Sequence, residues 1–166
     1  MKRMILVPIV ALVFSLAFTP ISNAQMAKEG TVTVTHCYTY TLLGPSLNLG
    51  SPDKEAVIGE LLAVVVSDTG KGPFHNMSSR AIFVLHYDKG ERTGVGYGVW
   101  TDPDGDKVFD EITVKPQKST GRFVGGTGKF AGIEGTVEVI EEIVLKPSKE
   151  GTTPTVNRMK IHWKLP

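Results

Sequence analysis

From residue 31 the chain alternates. In TVTVTHCYTYTLL (31–43), Val32, Val34, His36, Tyr38, Tyr40 and Leu42 fall on one face, and Thr31, Thr33, Thr35, Cys37, Thr39 and Thr41 on the other. A period of two is that of a strand with one buried face. Further β-rich stretches follow at 56–68, 79–88, 91–101, 107–115, 121–126, 136–146 and 155–165. Asp88-Lys89-Gly90 and Asp102-Pro103-Asp104-Gly105-Asp106 are hairpin signals between them. TVEVIEEIVLK (136–146) also suits a helical stripe through Val137, Ile140 and Val144, but its β-branched residues and Gly135 favour a strand. KPSKEGTTP (146–154) reads as a flexible loop. About eight short strands in one small domain predict an all-β closed barrel or a sandwich. Gly94, Gly96 and Gly98 share a face with Trp100, where a bulky neighbour, a close backbone or a ligand occupies the missing side-chain space.

The start of the chain is different. Lys2 and Arg3 precede an apolar run, Ile5 to Phe18, and Ser22-Asn23-Ala24 offers a small-residue cleavage site. That is the layout of a signal peptide at 1–24, with a run shorter than the ~20 residues a bilayer span needs. The mature domain is then 25–166, a periplasmic or secreted protein with no membrane anchor after cleavage. Two of the 18 Lys and Arg precede the site, so the mature chain is nearly balanced against 17 Asp and Glu. This charge offers nothing to nucleic acid. Cys37 is the one cysteine, so no internal disulfide can form, and it reads as an inert packed thiol.

GRFVGGTGKFAGIEGTVEV (121–139) holds a third of the chain's 18 glycines. A P-loop needs Gly-Lys-Ser/Thr, but Gly128-Lys129 is followed by Phe130. A dinucleotide fingerprint should open a helix, whereas Gly132-Ile133-Glu134-Gly135 and a β-rich run follow here. No cofactor is expected. The remaining reading is a corner, with glycines bending the wall and Phe123, Phe130 and Ile133 tucked beneath it. Gly125, Gly126, Gly128, Phe130, Gly132 and Gly135 resemble the glycine-rich segment of the allene oxide cyclase and dirigent barrels, of the calycin type. Similar segments occur in small exported bacterial proteins of unknown role. The resemblance implies a single eight-stranded antiparallel barrel, a ligand cavity at one end and a homo-oligomer, often a trimer. Its matching residues shape backbone and perform no chemistry, so no catalytic residue is carried over.

The candidate chemistry is sparse. Asp102, Asp104, Asp106 and Asp110 lie close in sequence, but lack the order of a calcium loop, and Pro103-Asp104-Gly105 is a good turn. The four histidines lack metal spacing. His86 and His162 share faces with Arg80 and with Arg158 and Lys160, and should meet water. His36, between Val34 and Tyr38, should point inward, either as a hydrogen-bonded core residue or as a polar group in a cavity. Asp110 and Glu141 alternate with apolar residues and would also point inward, unless a bulge turns either outward. The candidate pocket is His36, Tyr38, Tyr40, Trp100, Asp110 and Glu141. Three functions fit: a non-catalytic binder of a small lipophilic ligand or protein partner, an isomerase or cyclase, and a structural barrel with a filled interior. An apolar cavity without paired ionisable groups favours the first; a carboxylate fixed at its floor favours the second.

Overall fold

The computed structural model describes residues 26–166; the signal peptide read at 1–24 lies outside them. Nine strands follow in order: β1 (Glu29–Leu42), β2 (Leu47–Ser51), β3 (Lys54–Ser67), β4 (Met77–Asp88), β5 (Glu91–Thr101), β6 (Lys107–Val114), β7 (Thr120–Gly126), β8 (Glu134–Val144) and β9 (Thr152–Lys164). Each pairs antiparallel with its neighbour, and β1 pairs with both β9 and β3. Eight strands therefore close into a barrel, without free edges between them. β2 is the ninth and lies outside the ring. It pairs only with the start of β3, at Leu47↔Ala56, Asn48↔Glu55 and Ser51↔Lys54. The segment 136–146 is a strand, β8, through Val144. β9 starts at Thr152, inside the stretch read as a loop, and the Leu145 amide donates to the Pro154 carbonyl at 2.9 Å.

The interior falls into two apolar clusters. One fills the end where β3 leaves the barrel, around Phe74, Trp100, Phe123, Phe130, Ile161 and Trp163. The other, with Val57, Leu61, Ala81, Phe83, Leu85 and Val114, lines the upper wall. Two connections plug the first end. The β3–β4 connection brings Phe74 beneath the barrel, where it is 1% exposed. The glycine segment between β7 and β8 does the same for Phe130 and Ile133.

That segment is a corner. It contains one 3-10 turn, Gly128–Phe130, and then enters β8. Gly128 takes φ 54°, and a side chain there would also strike the Asp106 carboxylate. A methyl group on Gly126 would collide with the Phe130 and Lys107 carbonyl oxygens. Only glycine lets these strands approach so closely. The DPDGD segment is a turn: Asp102 Oδ1 accepts from the amides of Asp104 and Asp106, both at 2.9 Å. Lys129 pairs with Asp102 and with Asp104, so the turn's acids are met by a side chain from the glycine corner. Among the described residues, no group of three His, Cys, Asp or Glu side chains is placed to hold a metal.

Candidate functional site

The end opposite the plug is open. Above Trp100 the barrel holds a cavity of about 480 Å³, within the range of about 300–1,000 Å³ typical of small-molecule sites. Strand alternation explains most of its lining. Tyr38 and Tyr40 follow His36 up β1, and Tyr40 lies where a side chain on Gly59 of β3 would stand. The β5 glycines make room in the same way. The Phe83 ring occupies the space beside Gly96, and the Asp110 carboxylate that beside Gly98. The glycine face with Trp100 is thus the cavity's inner wall, vacated for an aromatic ring and an acid.

His36, Asp110 and Asn157 form the polar floor, at 6%, 3% and 7% exposure. His36 stacks on Trp100, with ring centroids 5.7 Å apart and planes 4° off parallel. It is cross-strand partner to Asn157, while Asp110 is partner to Gly98. His36 Nε2, Asp110 Oδ1, Asn157 Oδ1 and the Tyr40 hydroxyl, all in the cavity lining, have no hydrogen-bond partner. Buried polar atoms are almost always paired, so a cluster of orphans in one space marks a site. Burial pushes the His36 imidazole down to about 4, leaving it neutral at ordinary pH. Burial pushes the Asp110 carboxyl up to about 6, partly offset by hydrogen bonds from the Trp100 indole and nearby backbone. Burial, with the neighbouring Tyr87, raises Tyr40 to about 12.

At the mouth, Arg92 of β5 donates to both carboxylate oxygens of Glu142 of β8, at 3.1 and 3.4 Å. The two strands are separated in the ring by β6 and β7, so the pair reaches across the opening.

Five of the six candidate pocket residues line one cavity: His36, Tyr38, Tyr40, Trp100 and Asp110. Glu141 does not, and this corrects the sequence reading. The β8–β9 ladder slips between Val139 and Glu141, leaving Ile140 as a bulge. The slip turns Glu141 outward, exposed, and brings Glu142 into the mouth. The β6–β7 ladder also slips at Asp110, but there the extra residue is Val124 on β7, so Val108, Asp110 and Val114 stay buried on one face of β6. Cys37 is likewise corrected: it is exposed, on the outer face of β1. His86 and His162 are exposed. Asn157, Arg92 and Phe83 were not singled out in the sequence. Arg92 shares the face of Gly94 to Trp100, and Asn157 the face opposite Arg158 and Lys160, so both signals were present.

No protein-family model matches the chain, and no curated protein is similar to it. Among solved structures the barrel is similar to that of a pterocarpan synthase dirigent protein. The TM-score is 0.51 at 13% identity, over 86% of this chain and 90% of that one. At that identity the likeness is one of fold: an all-β, dirigent-like barrel.

Proposed function

We propose that this is an exported barrel that binds a small, largely apolar molecule carrying one polar end. The observation that carries the reading is the floor: three buried polar side chains, His36, Asp110 and Asn157, each present an unpartnered atom to the same cavity. Above them, Leu61, Phe83, Val114 and Val137 supply apolar wall. A structural barrel with a filled interior would leave no such space. Native mass spectrometry of protein recovered from its own periplasm or medium is expected to show a retained small molecule. A panel of lipophiles is expected to raise Tm by roughly 10 °C for a ligand at 100 times its Kd, about 2.7 kcal/mol. The reading falls if nothing co-purifies and no member of the panel moves Tm.

One observation favours a second reading, an isomerase or cyclase that holds a lipophilic substrate in one shape. A carboxylate does stand at the cavity floor. At about 6, Asp110 can give or take a proton near neutrality, beside a neutral imidazole. The similar barrel is that of a pterocarpan synthase dirigent protein, which adds weight to this reading. Chromatography of the retained molecule before and after incubation separates binder from catalyst.

Self-association, which the sequence resemblance implies, is supported by the outer wall. Ile58 of β3, Ile82 and Val84 of β4, and Val95 and Tyr97 of β5 are all exposed at paired positions, Ile58↔Val84↔Val95 and Ile82↔Tyr97. A contiguous apolar surface of this kind is uncommon on a monomer. Sedimentation is expected to give an oligomer that Val84→Lys with Tyr97→Lys dissociates; a monomeric wild type overturns it.

A further inference from the structure

We infer that the cavity selects a lipophilic amine, whose ammonium group supplies the counter-charge that the floor lacks. This rests on the ligand-binding reading above and names its ligand class.

The charges in the lumen do not balance. Asp110, Glu142 and Glu55 line the cavity, and Arg92 is the one Lys or Arg among the lining residues. Arg92 is committed to Glu142 at the mouth. The floor therefore holds a carboxylate, 3% exposed, with no cation beside it and no partner for Oδ1. A buried carboxylate with no counter-charge is costly, and a cationic ligand removes that cost. The neighbouring orphan Asn157 Oδ1 is also an acceptor. Two acceptors lining one cavity call for a donor-rich group, and an ammonium carries three N–H bonds against the single O–H of an alcohol. A ligand carboxylate would meet Asp110 as a like charge. The apolar wall above takes the rest of the molecule, an alkyl or aromatic chain.

The same arrangement makes capture pH-dependent. The ionisable groups sharing the lumen with Asp110 are His36, Tyr38 and Tyr40 of β1, Glu55 of β3, Tyr87 of β4, Arg92 of β5 and Glu142 of β8. Protonation of Asp110, held near 6 by burial, competes with the ammonium. Affinity for an amine then falls about tenfold between pH 7.5 and pH 5, while affinity for a neutral ligand holds.

The test compares three probes with one skeleton: 4-phenylbutylamine, 4-phenylbutanol and 4-phenylbutanoate, by calorimetric titration of the full mature protein. At pH 7.5 the amine is expected to bind about tenfold tighter than the alcohol, as a charge-assisted hydrogen bond outweighs a neutral one. The carboxylate is expected to bind weakest. At pH 5 the amine's advantage disappears, and Asp110→Asn removes that advantage at both pH values. An alcohol or carboxylate that matches the amine, or an amine affinity indifferent to pH, overturns amine selection. The wild-type comparison decides this even if Asp110→Asn misfolds. If all three fail while a molecule of the lipophile panel binds, amine selection falls and the binding reading stands; if nothing binds, both fall.

Discussion

Phe74→Ala is expected to destabilise the barrel by about 3–5 kcal/mol, the range for deleting a buried phenylalanine ring, and to lower Tm by roughly 10–20 °C. Phe74 is the centre of the plug. Its ring meets Phe123 at 5.5 Å, Trp163 at 5.6 Å, Phe130 at 5.9 Å and Trp100 at 6.2 Å between centroids. Those four side chains come from β7, β9, the glycine corner and β5, so one ring ties the closed end together. Its backbone sits at φ 63°, a left-handed conformation that costs a non-glycine residue about 1–3 kcal/mol. Packing holds it there, and alanine would keep the strain while losing the contacts. The connection is otherwise anchored by polar bonds: Ser67 Oγ donates to the Lys71 carbonyl at 2.9 Å, and the Ser67 amide to His75 Nδ1 at 3.3 Å. Urea unfolding followed by tryptophan fluorescence measures the loss. A change below about 1 kcal/mol, that of an ordinary substitution, would show that the ring is not the tie described.

Period-two patterning made much of this molecule legible. It placed His36, Tyr38 and Tyr40 on the inner face of β1, and Asp110 with Val108 and Val114 on that of β6. The glycine run was legible as a corner because its sequence fails both phosphate patterns and continues into β-branched residues. Phe74 was not legible. It stands in a connection of Gly, Pro, His and Asn, with no period to give it a face; a lone bulky apolar residue among turn formers was the one clue. The exchange of Glu141 for Glu142 rests on a single bulge at Ile140, which no local pattern announces. Cys37 misled because an alternating strand shows which residues share a face, not whether anything covers the second face. The Arg92–Glu142 pair depends on closure of the ring, which brings together residues 50 positions apart. Patterns along one strand therefore located the cavity floor, while its mouth required the three-dimensional closure.

His36 and Asp110 are expected to drive stability in opposite directions with pH, so that replacing either exposes the other. The imidazole falls from 6.5 to about 4 on folding. Its folded pKa is depressed, so the stability tied to the neutral ring is present above 6.5 and is lost as pH falls toward 4, about 3 kcal/mol in all. The Asp110 carboxyl rises from 3.8 to about 6. Its stability is full below 3.8 and is lost as pH rises through 6, again about 3 kcal/mol. Between pH 4 and 6 the two slopes nearly cancel, and the wild type should show little change from this pair. Asp110→Asn removes one slope: the variant gains up to about 3 kcal/mol over wild type at pH 7, an advantage that shrinks as pH falls through 6 and wild-type Asp110 is protonated, while the variant's own stability falls along the remaining His36 slope. His36→Gln removes the other, and that protein should become more stable as pH falls from 6 to 4. Urea midpoints at pH 4, 5, 6 and 7 for the three proteins measure the slopes. Parallel profiles would mean that both groups keep their ordinary protonation on folding, and burial of the floor would then not shift them. Burial of the floor is also what makes an uncompensated Asp110 costly, so this measurement bears on ligand choice as well as on folding.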